Sequence, residues 1–136
     1  VSRWALDSRL DADTHLVGAL SLCDVRLMDD NRFPWLILVP RIVGATEWID
    51  LDRQTQHRLA DEITLASQAL RTLCSPSKLN VATLGNIVAQ LHVHVIARFH
   101  EDAAWPRPVW GVGSALPYPA DESSTLLARL RAALAL

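Results

Sequence analysis

The spacing of apolar residues changes several times along the chain, and each change marks an element. Leu20 to Met28 is rich in Leu and Val, and Asp29-Asp30-Asn31-Arg32 then breaks the run with turn formers. Trp35 to Pro40 is continuously apolar, with Pro34 and Pro40 bracketing a short buried strand. Two apolar runs joined by a polar turn predict a β-hairpin. Between Leu51 and Leu73 the period lengthens: Leu59, Ile63, Ala66, Leu70 and Leu73 fall at steps of three and four, one stripe of an amphipathic helix. Asp50 or Asp52 can cap its start, and Cys74-Ser75-Pro76 ends it. A strand over Leu79 to Thr83 leads to Gly85-Asn86, and Ile87 to Phe99 is the most regular β segment. Trp105-Pro106-Arg107-Pro108-Val109-Trp110-Gly111 predicts a fixed loop. Thr125 to Leu136 closes with helical spacing at Leu126, Leu130 and Leu134. The order of elements predicts an α+β fold, an antiparallel sheet with a helix on one face.

Length and composition narrow the class. The chain has 136 residues, half of them hydrophobic and 21% charged, which suits a single globular domain over 1–136 and excludes a disordered or low-complexity chain. The net charge of −2 offers no basic field for nucleic acid. Two cysteines, Cys23 and Cys74, have no motif spacing and are expected as buried thiols in a reducing cytoplasm. The longest apolar runs are far too short for a membrane span, and charges at Arg3, Asp7 and Arg9 leave no secretory leader in view. The start at Val1 is expected of a processed or trimmed chain.

The chemistry gathers in Gln90-Leu91-His92-Val93-His94-Val95-Ile96, which alternates strictly. As a strand, it would place Gln90, His92 and His94 on one face about 6.6 Å apart, with Leu91, Val93 and Val95 in the core. Two imidazoles at that spacing can address one phosphate-sized group, one attacking while the other handles a proton. Spacing alone leaves three readings open: catalysis, metal binding, and a solvated strand face. Zinc usually takes a third or fourth ligand, and His15, His57 and His100 are scattered.

From Gly85 to Arg98 the sequence resembles the signature of the histidine triad (HIT) superfamily: His-φ-His-φ-His-φ-φ, φ being hydrophobic, preceded by Gly-Gln-Ser/Thr-Val. The hairpin, the long helix and the Asn80-bearing strand occur in the family's order, so the resemblance covers most of a core of about 20–111, leaving a tail and helix over 112–136. It implies a five-stranded antiparallel sheet with one long helix and a C-terminal helix, assembled as a homodimer. The implied activity is hydrolysis or transfer at the α-phosphate of a nucleotide, with no cofactor, no metal, no nucleic acid and no membrane. His92 matches the histidine that attacks phosphorus, and His94 the one that assists the leaving group. Gln90 stands at the first histidine's place as an orienting residue. Asp29 matches a ribose-binding position and Asn80 an amide near the leaving group. Main-chain amides around Asn86, Ile87 and Val88 would hold phosphate oxygens. Arg98, on the same strand face, would attract anionic substrate. Four departures stand out: Gln90 cannot titrate, Ile87 lacks the usual hydroxyl, Asn86 is shorter than the usual glutamine, and Trp35 stands where many members have a histidine. These departures keep open an alternative, a non-catalytic nucleotide-binding or scaffold protein.

Overall fold

The structure, a computed structural model, describes residues 3–136. Five antiparallel strands form one sheet in the order β1-β2-β3-β5-β4. They are β1 (Thr14–Ala19), β2 (Cys23–Met28), β3 (Trp35–Pro40), β4 (Lys78–Ala82) and β5 (Val93–Arg98). A one-turn-and-a-half helix α1 (Ser8–Asp13) precedes them, α2 (Arg53–Cys74) connects β3 to β4, and α3 (Ala120–Ala133) closes the chain. The predicted hairpin is β2–β3, with Val25 opposite Leu38. No helix among the described residues is long and apolar enough to cross a membrane.

Strand alternation sorts side chains between two cores. Leu36, Leu38, Val93, Val95 and Ala97 face α2 and α3, where they meet Leu59, Ala66, Leu70 and Leu130. Trp35, Ile37, Val39 and Ile96 face the other way and pack with Leu10, Phe33, Ala104 and Val109. β3 and β5 are therefore buried along their whole length. Helix α2 begins at Asp52, whose carboxylate accepts from the Thr55 N–H, and ends at Ser75 in the left-handed region. Its one buried charge, Glu62, accepts hydrogen bonds from the main-chain N–H of Leu22 and Cys23 at 2.9 and 2.8 Å and ties the helix to the β1–β2 turn.

Two expectations need correction, and one strand escapes the residue pattern. The strand predicted over Ile87 to Phe99 begins only at Val93, because the chain first crosses the end of the sheet, where the Leu91 N–H bonds to the Ala45 carbonyl. Helix α3 starts at Ala120, five residues before the predicted start; only its second half carries the Leu spacing. Finally, β1 carries no clear alternation, since Gly18 and a register shift interrupt it, and the residue-by-residue pattern misses it.

Candidate active site

The segment Thr83 to His92 forms a loop over the end of the sheet, and Gly85 lets it fold tightly. A Cβ at Gly85 would lie 2.8 Å from the Val88 carbonyl oxygen. Asn86 and Ile87 are exposed at the loop tip, Ile87 by 82%, while Val88 packs on the second core. The Ile87 carbonyl accepts from Arg9 Nη1 at 2.9 Å.

His92 ends this loop and His94 is the second residue of β5. Both rings are buried, with centroids 4.9 Å apart and planes at 73°. The solvated-face reading therefore fails: the face carrying His94 is covered by the second core and by Trp110. His92 Nδ1 lies 2.6 Å from the Gln90 carbonyl oxygen. A carbonyl only accepts, so Nδ1 carries the proton and Nε2 of the neutral ring keeps its lone pair. His94 Nδ1 accepts from Trp35 Nε1 at 3.0 Å. Its Nε2 is buried without a hydrogen-bond partner among the described residues. Burial, and then the neighbouring His92, lower the His94 pKa to about 4; the Leu84 main chain opposes this only in part.

Gln90 orients His92 through its main chain, whereas its side chain is engaged elsewhere. Gln90 Oε1 accepts from the Asp7 N–H, and Nε2 donates to the Ala5 carbonyl, both at 2.8 Å. The position of the first histidine thus clamps an N-terminal arm.

Arg98 does not reach a ligand. It is 1% exposed, its Nε and Nη2 bind the Asp102 carboxylate at 2.7 and 3.1 Å, Nη1 donates to Asn80 Oδ1, and Nη2 also meets the Arg107 carbonyl. It shares the strand face of His94, but Asp102 draws it into an internal ion pair. Burial would raise the Asp102 pKa, yet Arg98 and the N–H groups of Phe99, Ala104 and Trp105 hold it well below the usual range. Asn80 is joined to this network, so it anchors Arg98 rather than lying free. An Asp shortly before Trp-Pro, a turn former, is the one sequence signal for it.

Two hollows flank the histidines. One, of about 420 Å³, is lined by Met28, Asp29, Trp35, Val109 and Trp110, among others. Trp35 and Trp110 reach from it to His94, with centroids 5.6 and 5.0 Å from the imidazole. Asp29 Oδ1 accepts from the Tyr118 N–H at 2.9 Å and lies 3.0 Å from His15 Nε2. No hydrogen bond engages its Oδ2 among the described residues. A strap over 109–118 forms the far wall. Arg32 Nη1 donates to the Val112 carbonyl, and Asp30, itself paired with Arg32, accepts from the Leu116 N–H. The second hollow, about 300 Å³ and more polar, is lined by His92, Gln90, Asn86, Gly85, Thr46 and Glu47. Trp105 lies apart, packed on Arg98 and His100.

Fold and site together define an α+β sheet protein that presents two adjacent imidazoles between an aromatic cleft and a polar hollow. The HIT domain family model matches residues 9–101. The chain is similar to the crystal structure of a histidine triad protein from Bradyrhizobium japonicum, with 48% identity, TM-score 0.95, and coverage of 98% of this chain and 99% of that one. It is also similar to a histidine triad (HIT) protein from Sinorhizobium meliloti, with 46% identity, TM-score 0.93 and coverage of 95% and 96%. A third, from Marinobacter aquaeolei, has 44% identity, TM-score 0.95 and coverage of 98% of each chain. No curated protein matches the sequence. The chain belongs to the HIT domain family, within a superfamily of nucleotide-binding hydrolases and transferases.

Proposed function

We propose that this protein is a nucleotide hydrolase or nucleotidyl transferase acting at an α-phosphate through a covalent nucleotidyl-histidine on His92. The observation that carries this reading is the Gln90 carbonyl on His92 Nδ1, which leaves Nε2 with a lone pair beside a second imidazole. The nucleoside enters the cleft of Trp35 and Trp110, with Asp29 Oδ2 receiving a ribose hydroxyl. Main-chain amides around Asn86, Ile87 and Val88 hold the phosphate oxygens. His94 donates a hydrogen bond from Nε2, and Asn80 acts through Arg98.

In the first step, the His92 Nε2 pair forms a bond to phosphorus while the bond to the leaving group breaks and its electrons leave with that group. Water, or another acceptor, then attacks phosphorus. The N–P bond breaks, its pair returns to Nε2, and the attacking group's proton passes to solvent. The substrate class is a dinucleoside polyphosphate or a nucleoside phosphoramidate, and the partner is a second copy of the chain. Two unpaired cysteines are in keeping with a cytoplasmic location.

Gln90 held by the arm and Ile87 without a hydroxyl favour one rival, a nucleotide-binding protein without turnover. Release of AMP from a dinucleoside polyphosphate and an adenosine phosphoramidate separates the two. Wild type is expected to release AMP, and His92→Ala to lose about a thousandfold or more. Equal turnover by the variant would refute the nucleophile, and AMP binding without release by wild type would favour the rival.

A further inference from the structure

Trp35 occupies the start of β3, buried in the second core and paired in register with Ile96. Its indole N–H has no lone pair to offer and can only donate. The 3.0 Å bond to His94 Nδ1 therefore requires that nitrogen to be unprotonated, which puts the ring's single proton on Nε2. Among the described residues no hydrogen-bond partner completes that buried Nε2–H, and only the Leu84 main chain acts on the ring, an arrangement that calls for a ligand acceptor. A second proton on His94 would have to go to Nδ1, displacing the indole and leaving two donors facing each other.

The surroundings give such a cation little in return, the Leu84 main chain alone favouring it. On β3 the ring meets Trp35 and lies opposite Ile37; on β4 it lies opposite Ala82. Trp110 covers it from the strap, and the loop brings Leu84 and His92. On its own strand, Arg98 shares its face but is already paired with Asp102. Of these groups only His92 can carry charge next to it, and that charge would be positive.

We propose that Trp35 is a positioning residue that fixes His94 as a neutral Nε2–H donor, and that the site therefore selects substrates whose leaving group departs without being protonated. The second half rests on the hydrolase reading. When His92 Nε2 bonds to phosphorus, the electron pair of the breaking bond stays on the leaving atom. His94 lends that atom, or a phosphoryl oxygen, a hydrogen bond but keeps its proton. A phosphate, a second nucleotide or a carboxylate leaves readily as an anion. An amine must first be protonated, and no imidazolium stands ready to do it. The class favoured is thus the phosphoanhydride, including mixed acyl-phosphate anhydrides, over the phosphoramidate.

The ring nitrogens of the full chain, labelled with ¹⁵N at histidine, read the first half directly. His94 is expected to show the Nε2–H tautomer and no titration between pH 5.5 and 8 (a range set about the ordinary histidine value of roughly 6.5). Trp35→Phe is expected to give mixed tautomers that titrate in that range. An Nδ1–H tautomer, or an ordinary midpoint, in wild type would overturn the assignment whether or not the protein turns anything over. For the second half, adenylates with leaving groups of graded basicity are expected to show a steep fall of kcat with basicity. The anhydride should exceed the phosphoramidate by about a hundredfold, the scale of one missing general acid. Comparable rates for the two would overturn it, as would identical slopes for wild type and a folded Trp35→Phe. The wild-type arms decide alone should that variant not fold. A fixed tautomer with no turnover at all would count against the hydrolase reading and the selection, and leave the positioning role standing.

Discussion

A histidine enclosed by two tryptophans makes the native state sensitive to acid. The unfolded chain takes up a proton at His94 near pH 6.5, whereas the native ring, with its pKa lowered to about 4, resists it. Between those values the unfolded state binds more protons, so stability is full above pH 6.5 and falls as pH drops towards 4. The loss amounts to about 3 kcal/mol by the lower end. Urea unfolding at a series of pH values is expected to show this slope in wild type and a shallower one in His94→Gln. Coincident slopes would remove the effect. At this scale the sequence was informative where residue chemistry decides: His92 and His94 stand out by type and spacing. Arg98 did not, because its fate depends on Asp102 in a turn, a pairing that strand periodicity cannot encode.

At the scale of elements, α2 and the β2–β3 hairpin were legible because their apolar spacing is continuous and bounded by caps and turn formers. The stretch from Ile87 to Leu91 was not. Its alternation continues that of β5, but alternation says nothing of where the neighbouring strands end, and here the chain leaves the sheet to meet Ala45. The same misreading hid what Gln90 does. Its side chain makes two hydrogen bonds to the N-terminal arm, together worth about 2 kcal/mol. Gln90→Leu is expected to lower hydrogen-exchange protection at the Asp7 amide while preserving the His92 Nδ1–H tautomer, since the main-chain carbonyl stays in place. Unchanged protection at Asp7 would show that the arm is held by something else.

Across the whole molecule, the two ends of the sheet are treated differently. At β1, Arg131 of α3 donates to the carbonyls of Val17 and Leu16, so that edge is covered. At β4 no further strand among the described residues is paired, and Val81 is 50% exposed. An open apolar edge is an invitation to pair with another chain. Light scattering is expected to give twice the chain mass, and a single-chain mass would refute the homodimer. The five-stranded fold followed from the HIT resemblance, whereas residue patterns alone supplied only four strands, since β1 with its glycine and register shift carries no period.

Past Val109, Trp110 and Val112, whose side chains pack on the second core, the strap that walls the aromatic cleft is held by its backbone: the carbonyl of Val112, the N–H and carbonyl of Leu116, and the N–H of Tyr118. Asp29, Asp30, Asn31 and Arg32 grip these groups without regard to which side chains the strap carries. The exposed residues 114–117 can therefore be rewritten while their docking is retained, and Trp110 with the histidines behind it is left untouched. Such a wall behaves as an exchangeable cassette, through which descendants of one scaffold can change what they admit at little risk to what they do.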